Sequence, residues 1–305
     1  MIGTGTAPGA PSSPDHSDSE GEFDLFNDDA DSASTDRKQQ LRDRADQARR
    51  AKLAELPPFS ERTCAQNRAA YILTPVRRLQ PTILANIFSV QDCELVLNSV
   101  ADYVQRQGGL QTDRHERFAT TDVPVSELTQ HFGDGDASVI VKKTVSDVTQ
   151  GWVSERILTR MASAAGFRPQ DLGLQDLFVV CYAGSEEATA TRKRVDVSVY
   201  PIPSKQASLS LHSDGCLLSF SLLLNHHDAF KGGGTFFKGS GKTFRVKQGG
   251  LLMHDAGLEH AGAGITKGQM IILVGFVETV DVLKNKQRWQ KESILQRQGR
   301  RIPNE

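Results

Sequence analysis

Between Asp176 and Val277 the sequence breaks into short apolar runs with no helical pattern between them, and no other feature limits the fold as much. The runs are Asp176–Tyr182, Val195–Ile202, Leu209–Leu211, Cys216–Leu224, Gly234–Phe237, Phe244–Val246, Leu251–Met253 and Met270–Val277. Rich in Val, Leu, Ile and Phe and separated by Gly, Pro, Asn, Asp or Ser, they read as strands. Parallel strands need crossover helices, and none fits here. The pattern therefore predicts an antiparallel sandwich or a closed jelly roll. The polar stretch from Gly184 to Arg194, carrying Arg192-Lys193-Arg194, is expected to be a surface loop between strands.

Helices are expected upstream. Ser89 followed by Asp92 has the form of a capping box. Behind it Cys93, Val96, Leu97, Val100 and Val104 recur at helical spacing. A second helical pattern runs from Trp152 to about Ala165, with Val153, Ile157, Leu158 and Met161 repeating. The fold class is thus α+β, mainly β, with a jelly-roll core and N-terminal supporting helices.

Residues 1–36 read as a disordered acidic tail. Asp15 to Asp36 has no Lys or Arg and too little apolar surface to offset the entropy of ordering. The FDLF quartet, Phe23 to Phe26, is a docking motif or, on the simpler reading, a chance apolar island. Residues 37–80 read as charged helix and linker, with Lys38 to Glu55 helical until Pro57 and Pro58 end it. That helix is taken as solvated rather than as a nucleic-acid arm, although its arginines could act as a nuclear address. The folded domain covers 81–280, and 281–305 form a basic C-terminal tail.

A formal net charge of −1 argues against bulk attraction to nucleic acid or to an acidic membrane. No apolar stretch approaches the roughly 20 residues that span a bilayer, and Met1 to Ser19 lacks the order of a secretory signal. Cys64, Cys93, Cys181 and Cys216 show no CxxC spacing and read as reduced thiols of an intracellular protein. A cytoplasmic or nuclear location is expected.

His212-Ser213-Asp214 closes a strand pattern. Residues two apart on a strand project from one face, so His212 and Asp214 can reach a single metal ion. His260, just before the last strong strand, is the best candidate for a third ligand. Two histidines and a carboxylate leave coordination positions open, as non-haem iron(II) oxygenases require. Taken alone, an HxD triplet is an ordinary surface pair, and the same donors also suit zinc.

The surrounding residues narrow the choice. LHSDGCLLSFSLLLN, KGGGTFF, GGLLMHDAGLEHAG and ITKGQMIILVGFV, in that order, resemble the catalytic half of prolyl 4-hydroxylase-like iron(II)/2-oxoglutarate dioxygenases. RHERFATTDVPV, Arg114 to Val125, resembles the substrate-side segment of that superfamily, and DLFVVCY its first core strand. The likeness runs roughly from Ile83 to Glu278. It implies a double-stranded β-helix with iron at its open mouth, held by His212, Asp214 and His260. It also implies Fe(2+), O2 and 2-oxoglutarate as co-substrate, with ascorbate as an accessory. In such enzymes 2-oxoglutarate chelates iron through its C1 carboxylate and keto oxygen. Its decarboxylation to succinate and CO2 drives hydroxylation of an unactivated C–H bond. The substrate is expected to be a protein side chain or a small molecule. Two alternatives stay open: a catalytically silent member that binds metal or protein partners, and a zinc-dependent hydrolase on a cupin-like barrel.

One position breaks the family's pattern. The basic residue that anchors the far carboxylate of 2-oxoglutarate normally stands ten positions after the last histidine, and here that residue is Met270. A thioether cannot make the usual charge-assisted pair. Lys267 is the first substitute to consider, as a point-charge anchor or a solvated turn lysine, and Lys238 is the second. Tyr182, on the first core strand, is the candidate phenol for the same carboxylate or else a core or rim tyrosine. His254 reads as structural, His226 and His227 as loop residues, and His115 as a surface residue that could line the substrate entrance. Gly232-Gly233-Gly234 precedes a strand rather than a helix, so it reads as a tight turn and not a phosphate loop.

Overall fold

The structure is a computed structural model describing residues 28–115, 119–129, 131–132, 143–184 and 202–297. The chain divides into two units, Met1–Glu55 and Leu56–Glu305. In the first, helix α1 (Asp28–Ala54) buries no residue from Thr35 onward. Acidic residues crowd its start and Lys52 lies in its last turn, which suits the helix dipole. Asp46 and Arg49 pair one turn apart, as do Gln39 and Asp43. The segment expected to be disordered up to Asp36 is therefore helical from Asp28. The FDLF quartet lies outside the described residues.

In the second unit, a capping box between Thr63 and Gln66 starts α2 (Cys64–Leu73), a helix the sequence reading left inside a linker. Strand β1 (Thr82–Leu84) follows. Helix α3 (Val90–Gln107) begins at the expected capping box of Ser89 and Asp92 and ends on Gly108, whose φ of 80° closes the helix. Its buried face holds Cys93, Val96, Leu97, Val100 and Val104, as the spacing predicts. Three short strands come next: β2 (Asp122–Pro124), β3 (His131–Phe132) and β4 (Lys143–Thr144). The helical pattern expected from Trp152 begins earlier, in α4 (Val145–Trp152). It widens into a π turn over Val153–Leu158 and ends as α5 (Thr159–Ala165). Val153, Ile157, Leu158 and Met161 are all buried.

The strand-rich half gives β5 (Leu172–Ala183), β6 (Leu209–His212), β7 (Leu218–Leu223), β8 (Phe230–Gly232) and β9 (Thr235–Phe237). After these come β10 (Lys242–Phe244), β11 (Leu251–Asp255), β12 (His260–Gly262) and β13 (Ile265–Thr279). The expected strand Val195–Ile202 and the Arg192-Lys193-Arg194 loop fall almost wholly outside the described residues. Ile202, the one described residue of that stretch, is buried but not in a strand. The larger sheet runs β1-β11-β7-β13-β5-β2, with β8 pairing the start of β13; the smaller runs β10-β9-β12-β6. Every pairing is antiparallel. Among the described residues the protein is mixed helix and antiparallel sheet, with strands forming its centre.

The main core includes residues of α3, the α4–α5 segment and the larger sheet. Phe220 sits there against Gly275, where a Cβ would collide with the ring. The triple glycine also acts as expected: Gly232, Gly233 and Gly234 have φ of 89°, 69° and 98°, a turn open to few other residues. The basic tail is a departure, because α6 (Val280–Arg297) is a helix. Leu283 lies against Gly173, Lys286 Nζ is 2.6 Å from Gln175 Oε1, and Cys64 Sγ is 3.1 Å from Asp281 Oδ1. Too few apolar residues among its charges made that helix readable in advance.

Helix α2 braces the strand that leads to His260. Tyr71 Oη donates to Asp255 Oδ2 at 2.8 Å and accepts from Leu79 N–H at 2.9 Å, and all three residues are buried. Tyr71→Phe leaves both partners short of a bond. It is expected to destabilise the protein by about 1–3 kcal/mol, seen as a lower urea midpoint with unchanged slope. An unmoved midpoint would show that the phenol contributes nothing.

Candidate metal centre

The smaller sheet brings the three sequence-selected ligands together. His212 ends β6 and His260 begins β12, and the two are directly paired across these antiparallel strands. Asp214 lies just past the end of β6, held there by its N–H donating to Ala256 O at 2.9 Å. Asp214 Oδ1 is 3.4 Å from His212 Nε2, and Oδ2 is 3.6 Å from His260 Nε2. The three potential ligand atoms all lie within 4.8 Å of one another.

The remaining atoms of these side chains are committed. His212 Nδ1 is 2.8 Å from Ser210 O and His260 Nδ1 is 2.9 Å from Leu258 O. A carbonyl only accepts, so each Nδ1 carries a proton and each Nε2 is left as the ligand atom facing Asp214. Ser219 donates its hydroxyl to Asp214 Oδ2. Burial alone would raise the Asp214 carboxyl. The neighbouring His212 and His260 imidazoles and the Ser219 hydroxyl hold it below its ordinary value instead. Two neutral imidazoles and an ionised carboxylate are the donor set that a divalent transition metal takes.

A cavity of about 520 Å³ opens beside the triad, between the two sheets. Ser219, Ser221, Val274 and Phe276 line it from the larger sheet, and Leu209, Thr235 and Gly262 from the smaller. His254 lines it as well, packed edge-on against Phe237 and His260 with its Nδ1 on Asp255 O. Burial pushes its imidazole down to about 4, so it stays neutral.

Of the expected co-substrate residues, only Tyr182 reaches the cavity. It is 4 % exposed and lies opposite Met270, which also lines the cavity. Lys267 does not reach it: the residue is exposed, stands opposite Lys231 of β8, and is followed by Gly268 with φ of 73°. Lys238 is exposed and paired with Glu259 at 2.8 Å. Of the two readings of His115, the structure places it at the cavity rather than as a mere surface residue. It lines the cavity with its ring 4.8 Å from Phe178 and its Nε2 3.6 Å from Asp122 Oδ2. Beside it Arg114, unassigned from sequence, bonds Asp122 and Asp176. The RHERF run was the available signal. His226, His227 and Asp228 place ligand atoms close together as well, but on an exposed turn of consecutive residues.

No family model matches the sequence, and no curated protein matches it. Solved structures do resemble it. One is an oxidoreductase of the 2OG-Fe(II) oxygenase family from Burkholderia pseudomallei, 14% identical with TM-score 0.41, over 72% of this chain and 91% of that one. A prolyl-4-hydroxylase from Pseudomonas putida is 14% identical with TM-score 0.41, over 69% and 98%. The epimerase SnoN, solved with Fe3+, alpha ketoglutarate and nogalamycin RO, is 15% identical with TM-score 0.44, over 70% and 83%.

Proposed function

We propose that this protein is a non-haem iron(II) oxygenase that hydroxylates an unactivated C–H bond with a 2-oxo acid as co-substrate. One observation carries the reading: His212, Asp214 and His260 converge, with oriented imidazoles, at the wall of a cavity between the two sheets. On this reading the two sheets form the double-stranded β-helix that the sequence motifs imply. Iron, when bound, supplies the site at which O2 and the 2-oxo acid meet. The chain's own residues hold the rest. Ser210 and Leu258 carbonyls fix the imidazole tautomers, Ser219 orients Asp214, and the apolar walls keep water from the reacting centre. The substrate enters past Arg114, His115, Phe178 and Phe276, which form one side of the cavity. A protein side chain or a small molecule fits this description.

The test is O2 consumption by the iron-loaded protein in the presence of 2-oxo acids. Carboxylate product and CO2 should appear in equal amounts, and a chelator should stop both. Iron bound without turnover of any 2-oxo acid would favour the silent reading. Turnover supported by zinc without O2 would favour the hydrolase.

A further inference from the structure

The cavity beside the triad does not end at Met270. A second cavity of about 340 Å³ adjoins it, and Ser221, Gly234, Thr235, Met270 and Ile272 line both. This seam is close to the metal ligands. Thr235 is paired with Gly262, which is two residues beyond His260, about 7 Å along the strand. A Cβ on Gly262 would be 3.4 Å from the Tyr182 hydroxyl, so the phenol stands at the same level. Tyr182 is in turn paired with Met270 across β5 and β13. Burial raises its phenol, which therefore stays protonated and able to donate a hydrogen bond.

The second cavity brings in the positive charge that residue 270 does not supply. Leu223, Phe230, Val246 and Leu252 give it apolar walls, and Arg245 and Lys247 line it as well. Arg245 follows directly on β10, one residue past Phe244, which is paired with Thr235. The triple-glycine turn lets its side chain come close to the seam. A Cβ on Gly233 would lie 2.8 Å from the Met270 sulfur, and one on Gly234 would lie 2.8 Å from Arg245 Cγ. Two adjacent glycines thus receive the thioether and the arginine stem side by side. Arg245 is exposed, so its guanidinium can turn into the seam without disturbing the core. Arg114, which lines the first cavity, is poorly placed for the same task. It lies over Phe178, four residues from Tyr182 along β5, about 13 Å away, and it is bound to Asp122 and Asp176.

We propose that Arg245 binds the far carboxylate of a 2-oxo diacid seated at the metal, with Tyr182 as a neutral donor beside it. Arg245 would thus take over, from a different strand, the part that the family's basic residue plays at position 270. The inference rests on the oxygenase reading above and adds the charge of the co-substrate's tail and the residue that reads it. The methylenes of such an acid lie against Met270 and Ile272, the two apolar side chains of β13 common to both cavities. Its carboxylate meets the planar fork of a guanidinium, which matches two oxygens at once. Lys247 offers only a point charge and stands two residues farther along the chain.

The experiment uses the full-length protein loaded with Fe2+ without oxygen. It titrates 2-oxoglutarate and 4-methyl-2-oxopentanoate, whose tail is uncharged, and reads the visible absorption of the metal–2-oxo acid chelate. Wild type should bind 2-oxoglutarate at least tenfold more tightly, about 1.4 kcal/mol. Arg245→Gln should remove that preference by weakening 2-oxoglutarate alone, with the affinity for 4-methyl-2-oxopentanoate unchanged. Adding Met270→Lys to Arg245→Gln should restore it by returning a cation to the seam, which a purely structural role of Arg245 would not allow. If wild type does not distinguish the two acids, or if Arg245→Gln keeps the preference or weakens both acids alike, the inference falls while the oxygenase reading stands. If Fe2+ binds and neither acid gives a chelate band, both fall.

Discussion

Asp214→Ala is expected to lower Fe2+ affinity by at least about 100-fold. Removing an outer partner of a metal ligand already costs 10–100-fold, and Asp214 is proposed as a direct ligand. It is also the only carboxylate among the described cavity-lining residues, so no neighbour can substitute for it. Without it the proposed centre keeps the imidazoles of His212 and His260 and no carboxylate to offset a dication. The fold should survive, because Asp214 stands just beyond β6 and outside the apolar core. Anaerobic titration with Fe2+ measures the first effect and the thermal midpoint measures the second. Wild-type affinity in the variant would remove Asp214 from the centre, and a collapsed midpoint would make the affinity uninformative. In that event Asp214→Asn, which keeps shape and hydrogen bonding, takes its place.

The largest expected effect on stability comes from the core. Phe220→Ala should cost about 3–5 kcal/mol, a large part of the 5–15 kcal/mol that holds a typical domain together. Phe220 is 1 % exposed and sits on the central strand pairings, opposite Met253 on β11 and Gly275 on β13. Its ring occupies the space that Gly275 leaves open, so truncation creates a void bounded by backbone that cannot easily move inward. Urea denaturation would show the loss as a lower midpoint. A change below about 1 kcal/mol would mean that the sheet relaxes to fill the gap, contrary to the close packing assigned here.

The sequence by itself picked out His212, Asp214 and His260, the residues proposed here to hold a metal, and the strand-rich half of the fold. His212 and Asp214 were legible because a strand's two-residue period puts them on one face, and α3 because its apolar period and capping box are local signals. Short-range geometry suffices for both. Other features depended on residues far apart in the chain. Helix α6 carries few apolar side chains, and its packing is visible only once Leu283 meets Gly173 and Asp281 meets Cys64. Lys267 lies three positions from Met270 in sequence, yet the turn at Gly268 and the pairing with β8 leave it in solvent. Arg114 is near no ligand in sequence, but it reaches the cavity because Asp122 and Asp176 on adjacent strands hold it there. Which charges face the cavity was therefore decided by tertiary structure alone, because strand pairing and ion pairs between distant residues set the direction of each side chain.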